Sequence, residues 1–254
     1  MSSKNTSGWK KAGRAATDRV AAPSDINSIL GLPPVPAMPP NKAGITDAIQ
    51  LVYHEAMVTA ITIPKALERL KNTKKWGLKQ WRLAHRIIFD PVYDWAGEFR
   101  KSNIRKQDTI FLNKDKIQSA AALAFQNFYK KYAIKGDIVE GLKALSVDEL
   151  AAGFASLYND LNLVHPFREG NGRSLKTLLT AMVRQAGYDF RWERIADRKW
   201  IFDQASIEAV QGDLSLMTQL FKEVTEVVYD SPSRSVLASR NTSEDAGVKS
   251  LTLA

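Results

Sequence analysis

Apolar residues recur at helical spacing, at i, i+3 and i+4, through almost the whole middle of this chain. Each segment therefore has one apolar face to bury against its neighbours. We find no alternation of strands and helices and no internal repeat, so the sequence predicts an all-α fold, a compact helical bundle. Pro64 predicts a break in the first helix, and Gly187 and Gly212 predict helix ends. The predicted helical segments are AIQLVYHEAMVTAI, KALERL, LKQWRLAHRIIF, SAAALAFQNFYKKYAI, VDELAAGFASLYNDLNLV, SLKTLLTAMVRQAGY, WIFDQASIEAV and DLSLMTQLFKEVTEVV.

The stretch from Phe99 to Leu112 departs from the helical spacing. Its sequence, FRKSNIRKQDTIFL, alternates loosely and has β-branched residues on either side of the polar Lys106-Gln107-Asp108. Alternation around a polar turn is typical of two short paired strands. The sequence therefore predicts a small β-hairpin within the helical domain.

The two ends of the chain contain few residues that could form a hydrophobic core. Residues 1–43 contain six of the ten prolines and a single aromatic residue, Trp9, and residues 230–254 contain no aromatic residue. Such segments cannot offset the entropy of ordering them, and clustered prolines favour extended structure. We therefore predict a flexible, basic, proline-rich arm over 1–43, one domain over 44–229 and a disordered polar tail over 230–254.

Composition excludes several functions. Cysteine is absent, which excludes disulfides and thiolate nucleophiles, and the three histidines lie far apart in sequence, which argues against a zinc site. No apolar run is long enough to cross a bilayer, and we expect no signal peptide. Of the net charge of +9, the arm carries +4 and the middle +5. A mildly basic domain suits an anionic small molecule such as a nucleotide as well as it suits nucleic acid.

One segment, LVHPFREGNGRSLK, places the residues of an anion site at the start of a helix. We expect one helix to end near Val164 and the next to begin around Asn171, where unpaired N–H groups and the helix dipole attract anions. Gly170 and Gly172 would let the backbone approach phosphate oxygens. Arg173 and Lys176 lie three residues apart, so we expect both cations near that anion.

His165 and Glu169 add a candidate base and a candidate metal ligand to this segment. Histidine accepts a proton near neutral pH, and a carboxylate together with nucleotide phosphates suits Mg²⁺. Each residue alone also has a purely structural interpretation as a cap, a turn or a solvated face. It is their occurrence together within 12 residues that favours a catalytic site.

The sequence HPFREGNGR resembles the active-site motif of the Fic (filamentation induced by cyclic AMP) family, HPF-x-(D/E)-GNGR-x-x-R. The resemblance extends to FDPVYDWAGEFR and RKSNIRKQDTIF, which look like the segment before the family's flap hairpin and the flap itself, and it covers roughly residues 45–228. It implies a helical Fic fold with the hairpin over the active site. It also implies transfer of AMP from ATP to a Tyr, Thr or Ser hydroxyl of a target protein.

The resemblance also implies a role for each residue of the motif. His165 would take the proton of the target hydroxyl, Glu169 would hold Mg²⁺, and Phe167 would anchor the loop in the core. The other catalytic residues would be Asn171 and Arg173. The nucleotide-binding residues would be Gly170, Asn171, Gly172, Arg173 and Lys176. The flap residues that would hold the target by strand addition are Ile104, Arg105, Lys106, Thr109, Ile110 and Phe111.

The last arginine of the motif is Lys176 here. Lysine keeps the charge but lacks the bidentate fork of arginine. In the family this arginine grips the γ-phosphate, so the substitution leaves open weaker or differently regulated use of ATP, or an inactive protein.

Self-restraining members of the family carry a helix with (S/T)-x-x-x-E-(G/N), whose glutamate pairs with that last cation. Only Glu140-Gly141 and Glu169-Gly170 place a glutamate before glycine or asparagine here, and neither has Ser or Thr four residues earlier. We therefore expect a separate small antitoxin protein to supply the inhibitory helix, or control by delivery. We also expect that substituting any glutamate other than Glu169 does not raise activity.

Several biological settings stay open. The resemblance implies a bacterial toxin in the cytoplasm, with type II topoisomerase subunits as the target suggested by the family. The alternatives are an effector delivered into a host cell to modify GTPases, a Doc-like kinase, and a non-catalytic nucleic-acid-binding or scaffold protein. In Doc-like proteins Ala and Lys stand in place of Gly170 and Gly172, so both glycines favour nucleotidyl transfer. No reader motif supports nucleic-acid binding.

Overall fold

The computed structural model describes residues 38–106 and 109–228. The chain divides into two units, 1–39 and 40–254, and every element below belongs to the second. The helices are α1 (Ala48–Leu70), α2 (Leu78–Phe89), α3 (Ile117–Tyr132), α4 (Ile138–Lys143), α5 (Val147–Val164), α6 (Asn171–Arg184), α7 (Lys199–Val210) and α8 (Ser215–Val224). Two 3₁₀ turns span Lys114–Lys116 and Trp192–Arg198, and the strands are β1 (Arg105–Lys106), β2 (Thr109–Ile110), β3 (Tyr188–Phe190) and β4 (Thr225–Val227).

The prediction of an all-α domain with a small hairpin is confirmed. Strands β1 and β2 pair antiparallel, with Arg105 opposite Ile110 and Lys106 opposite Thr109. Among the described residues, no helix has both the length and the apolar composition that crossing a bilayer requires.

Helix α5 lies at the centre of the domain and packs against α3, α6 and α8. It begins with a reciprocal cap in which the Ser146 side chain accepts the Glu149 N–H and the Glu149 carboxylate accepts the Ser146 N–H. Its length matches the periodic segment VDELAAGFASLYNDLNLV from end to end. Phe154 and Leu161 on α5 and Leu178 on α6 are fully buried. The active-site segment therefore lies between two helices that the core fixes.

The predicted break at Pro64 is wrong, because α1 runs through it to Leu70. Pro64 lies on the exposed face, where water can satisfy the carbonyl of Ala60 that loses its N–H partner. On the other face α1 packs against α2, and the Thr62 hydroxyl donates to the Ile88 carbonyl at 2.8 Å. Packing on both sides of the proline outweighs its local preference.

A second small sheet was not predicted. The segment DLSLMTQLFKEVTEVV was expected to be helical throughout, but α8 ends at Val224 and Thr225–Val227 pairs antiparallel with Tyr188–Phe190. A few apolar residues in a row fit a strand as well as a helix, so periodicity alone could not separate the two. The short helix α4 was also not predicted.

The predicted arm and tail lie largely outside the described residues. Within residues 38–43, which are described, the Lys42 N–H donates to the Val92 carbonyl at 2.8 Å. The Lys42 ammonium lies 3.8 Å from the Asp90 carboxylate and 3.7 Å from the Asp94 carboxylate. The flexibility predicted for residues 1–37 and 230–254 stays a prediction.

Candidate active site

The predicted helix–loop–helix boundary is confirmed. Helix α5 ends at Val164, His165 follows in the left-handed conformation with φ of 43°, and α6 begins at Asn171. A left-handed residue other than glycine is uncommon and costs free energy. The chain therefore turns sharply at the histidine and directs the loop back toward the start of α6.

Two contacts orient the His165 ring. Its Nδ1 lies 3.2 Å from the carbonyl oxygen of Asn162, and the ring stacks on Phe111 with centroids 3.7 Å apart. A carbonyl oxygen only accepts, so Nδ1 carries the proton and the neutral ring has its lone pair on Nε2. This is the tautomer that a general base needs.

Arg100 connects the hairpin to this turn, a role that was not predicted from the sequence. Its side chain is only 6% exposed, donates to the carbonyl of His165 and that of Ser102, each at 2.8 Å, and also donates to the carbonyl of Leu112. Its backbone N–H donates to the carbonyl of Pro166 at 2.8 Å. Burial lowers the pKa of Arg100, but the guanidinium keeps its charge and so complements the carbonyl end of α5.

Phe167 and Asn171 hold the loop against the core. The Phe167 side chain is fully buried, and its ring stacks on His85 with centroids 3.9 Å apart. The Asn171 side chain accepts the Phe167 N–H and donates to the Phe167 carbonyl, each at 2.8 Å. Both polar ends of the Asn171 amide are thus engaged by the loop, which fixes the side chain, and the backbone N–H of Asn171 belongs to the first turn of α6.

His85 is a buried link that the sequence did not reveal. Its Nδ1 accepts the Gly97 N–H at 2.9 Å, so its Nε2 carries the proton and donates to the Glu169 carbonyl at 2.8 Å. Burial, partly opposed by the bond to Glu169, lowers the pKa of His85 to about 4. A neutral histidine on α2 therefore fixes the backbone directly before Gly170.

The two motif glycines meet different needs. Gly170 has φ of 78°, and a Cβ built on it would lie 2.3 Å from the Phe89 ring, so both its conformation and its surroundings require glycine. A Cβ on Gly172 would meet no atom within 4 Å. The absence of a side chain at Gly172 instead leaves open space where the helix presents its first N–H groups.

Arg173 pairs with a carboxylate, Glu55, that was not predicted from the sequence to lie at the site. Its Nη2 forms an ion pair with Glu55 on α1, and the same atom lies 3.6 Å from the Glu169 carboxylate. Its guanidinium carbon lies 4.7 Å from the centre of the Phe89 ring. Arginine commonly stacks on aromatic faces in this way.

Lys176 points to a different set of partners. Its Nζ lies 4.1 Å from the centre of the Phe202 ring and 4.8 Å from that of Trp192. Burial lowers the pKa of Lys176 to about 8, and Asp203 partly opposes this effect. The two cations therefore contact different residues, and their meeting at one anion stays a prediction.

A cavity of about 510 Å³ joins these residues. The motif residues that line it are His165, Glu169, Gly170, Asn171, Gly172, Arg173 and Lys176, and most of its other lining residues are aromatic or aliphatic. That combination suits a ligand with an anionic end and an apolar ring. The lining residues outside the motif include Phe111, Tyr158, Trp192, Ile195, Phe202, Asp203, Ile207 and Val210. A second cavity of about 460 Å³, beside Pro64 and Gln185, contains no motif residue.

Of the predicted flap residues, Phe111 contacts the site directly, through its ring on His165. The Phe111 N–H donates to the Ile104 carbonyl at 3.3 Å, and the Leu112 N–H donates to the Leu163 carbonyl at 3.1 Å. The end of the hairpin is therefore attached to the last turn of α5. Arg105, Lys106, Thr109 and Ile110 form the two paired strands.

The domain thus combines a glycine turn at a helix start, a histidine held by a carbonyl oxygen and an aromatic ring, and a cavity that both line. Residues 77–183 match the family model described as the Fic/DOC family. Residues 77–183 therefore form a domain of this family. The resemblance to the Fic family is thereby confirmed, together with the predicted fold class.

Relatives and solved structures agree with this assignment. The protein adenylyltransferase VbhT of Bartonella schoenbuchensis is 30% identical over 184 residues, which are 72% of this chain and 36% of the relative. The "Probable protein adenylyltransferase Fic" of Escherichia coli K12 is 29% identical over 155 residues, 61% of this chain and 72% of the relative. The N-terminal Fic domain of a VirB-translocated Bep effector protein from Bartonella quintana, solved with bound ADP, superposes with a TM-score of 0.60 at 25% identity. That match covers 74% of this chain and 90% of the solved one.

This chain thus spans about a third of the length of the Bartonella schoenbuchensis relative.

Proposed function

We propose that this chain is a protein adenylyltransferase, which transfers AMP from ATP to a hydroxyl side chain of a target protein. The observation that carries the proposal is that His165, whose Nδ1 lies 3.2 Å from the Asn162 carbonyl oxygen, lines the same cavity as the start of α6. The names of the two relatives, both adenylyltransferases, support the same reaction.

In the proposed reaction the target hydroxyl oxygen forms a bond to the α-phosphorus of ATP. The bond from that phosphorus to the bridging oxygen breaks, diphosphate leaves, and the hydroxyl proton goes to Nε2 of His165. Arg100, through the His165 carbonyl, and Phe111, through the ring, hold the base in place. Transfer at phosphorus depends chiefly on positioning and on stabilising charge, which these residues supply.

The start of α6 would hold the phosphates. The N–H groups of Asn171, Gly172 and Arg173 belong to its first turn, where N–H groups have no partner within the helix. Gly172 leaves space for phosphate oxygens, while Gly170 allows the turn itself. Arg173 and Lys176 would add positive charge along the β- and γ-phosphates.

Glu169 fits the requirements of a Mg²⁺ ligand. Its carboxylate is half-exposed and lines the cavity beside the glycine turn. Mg²⁺ at such sites takes one or two carboxylates and completes its shell with phosphates and water. Accordingly, a cluster of three acidic or histidine ligands is not needed, and the described residues contain none. When bound, the ion would neutralise phosphate charge.

The hairpin would hold the target. Strands β1 and β2 form a sheet of only two strands, so a target segment could pair along an outer edge and bring its hydroxyl to the base. We propose this docking mode for Ile104–Phe111 as a whole.

We further propose a toxin that is restrained by a separate antitoxin protein. The observation behind this proposal is the absence of the (S/T)-x-x-x-E-(G/N) pattern from the sequence. A second candidate, a delivered effector, is favoured by the similarity to the Fic domain of the VirB-translocated Bep effector protein from Bartonella quintana. The target protein differs between the two settings, whereas the chemistry does not.

The test uses two ATP preparations, one labelled on the α-phosphate and one on the γ-phosphate, each incubated with the protein, Mg²⁺ and cell lysate. Adenylyl transfer leaves the label of the α-phosphate on the target, whereas a Doc-like kinase leaves the label of the γ-phosphate. His165→Ala should reduce labelling by on the order of 10²–10⁴-fold, and chelation of Mg²⁺ should stop it. Labelling by the γ-phosphate alone, or equal labelling by His165→Ala, would overturn the proposal.

A further inference from the structure

Glu55 is a buried carboxylate to which the proposed mechanism gives no role. It lies on α1 and is only 6% exposed. One carboxylate oxygen accepts the Tyr93 hydroxyl and the other forms the ion pair with Arg173. A buried carboxylate is tolerated when hydrogen bonds and an opposite charge compensate for its lost hydration. Both compensating groups are present here, and one of them is a motif residue 118 positions away.

We propose that Glu55 is a positioning residue, which holds the Arg173 guanidinium in one orientation at the nucleotide site. The inference rests on the adenylyltransferase function proposed above. A free arginine side chain samples many rotamers, and ordering it costs free energy each time it binds a phosphate. Glu55 at one edge of the guanidinium and the Phe89 ring at its face remove most of that freedom before the nucleotide arrives.

The Tyr93 hydroxyl fixes Glu55 in turn. Tyr93 is fully buried, and its ring stacks on Trp95 with centroids 4.3 Å apart. Burial, and after it the bond to Glu55, raises the pKa of Tyr93 well above its ordinary value. The Tyr93 hydroxyl therefore stays protonated, and a donor to Glu55, throughout the physiological range.

The geometry indicates that Glu55 positions the Arg173 guanidinium and does not compete with a phosphate for it. A guanidinium has five N–H donors, and the contacts to Glu55 and Glu169 both involve Nη2. Nε and Nη1 form no hydrogen bond within the described part of the chain, so a phosphate can bind them while Glu55 stays in place. A carboxylate that competed with the phosphate would have to engage those donors as well.

The experiment compares four forms of the full chain: parent, Glu55→Gln, Tyr93→Phe and Glu68→Gln. Glutamine keeps the shape and the acceptor for Tyr93 but loses the charge. Glu68 lies exposed on the same helix, paired with Lys71, and serves as the matched control. For each form we would measure the thermal midpoint, the Kd for ATP, and kcat and KM for ATP in the transfer assay.

We expect Glu55→Gln to lower kcat on the order of 10- to 100-fold, as misplacement of a distant positioning group does. Its KM for ATP should change less than its kcat, because the lost ordering of Arg173 weakens binding while removal of a negative charge near the phosphates strengthens it. Tyr93→Phe should lower kcat less, and Glu68→Gln should match the parent. An unchanged kcat in folded Glu55→Gln would overturn the proposal, and a raised kcat would show that Glu55 restrains the site.

A second measurement keeps this inference separate from the proposed function. The side-chain Nη–H signals of Arg173 in ¹⁵N NMR, assigned with Arg173→Lys, report whether the guanidinium is held, because Glu55 contacts Nη2. We expect a protected signal in the parent that exchanges faster in Glu55→Gln. If the parent transfers no AMP at all, the proposed function fails, yet equal protection in the two forms would still refute positioning by Glu55.

Discussion

At the scale of single residues, the two glycines of the motif differ in what they require. Gly170→Ala would place a Cβ against the Phe89 ring in a backbone conformation that disfavours side chains, and should destabilise the fold by about 1–3 kcal/mol. Gly172→Ala meets open space and lies inside a helix, so stability should be unchanged or slightly higher. Denaturant unfolding of both variants distinguishes these outcomes.

The two glycine variants also distinguish an effect on fold stability from an effect on ATP binding. Gly172→Ala should weaken ATP binding although it leaves the fold intact, since its methyl group would enter the cavity beside the phosphates. Unaltered ATP affinity in this variant would contradict the place that we assign to the nucleotide.

Lys176 gives the proposed ATP site a pH dependence. Its pKa of about 8 means that the charge is lost as pH rises through that value, so ATP affinity should fall over the same interval. Lys176→Arg stays charged and should retain affinity at high pH, with activity kept or enhanced. Lys176→Ala should raise KM for ATP more than it lowers kcat. Calorimetric titration with ATP from pH 7 to 9 measures the affinity of the parent and of Lys176→Arg. A parent affinity that does not change over this range would refute the pH dependence.

At the scale of elements, sequence periodicity predicted α5 and α6 and the loop between them, because both helices have a long apolar face and the loop contains the glycines. Prediction from periodicity failed where tertiary packing determines the secondary structure. Helix α1 crosses Pro64 because the opposite face is held against α2, and β4 forms because Tyr188–Phe190 is available as a partner.

The site residues that were missed share one property. Glu55, His85 and Arg100 contact the motif from 65 to 118 positions away in sequence. A single sequence shows what a residue is but not which distant residue it meets. The one available signal was a charged or titratable side chain at an apolar helical position, as with Glu55 between Leu51 and Thr59 on the buried face of α1.

His85 connects α2, the turn at Gly97 and the motif loop, and it should make stability depend on pH. Its folded pKa of about 4 lies below the ordinary 6.5, so the unfolded chain binds more protons between these values. Stability should therefore fall as pH drops from 6.5 to 4, by about 3 kcal/mol in all. His85→Gln can keep both hydrogen bonds without titrating, so the difference in unfolding free energy between parent and variant should vary across this range. His54→Gln, which changes a histidine away from these contacts, should behave like the parent, and a parallel decline in His85→Gln would refute the assignment.

At the scale of the whole molecule, the question is what restrains the proposed activity. Of the two glutamates that precede glycine, Glu140 lies exposed and pairs with Lys143. Gly141 is required for its close approach to the Tyr132 carbonyl, since a Cβ there would lie 1.7 Å from that oxygen. The Glu140-Gly141 pair is therefore explained by packing, and Glu169 belongs to the motif itself.

Glu55 is the glutamate outside the motif that reaches a motif cation among the described residues, and its contact with one guanidinium nitrogen favours positioning.

If restraint comes from a partner, its glutamate would bury against Lys176 or Arg173 and occupy the place of the γ-phosphate. We therefore expect this chain, expressed alone, to modify proteins constitutively and to slow bacterial growth. His165→Ala should abolish both effects, and a co-expressed small protein carrying (S/T)-x-x-x-E-(G/N) from an adjacent gene should relieve them. Growth curves with intact-mass analysis of cell proteins provide the measurement. A glutamate substitution in this chain that raised activity many-fold would show that the restraint is built into the chain itself.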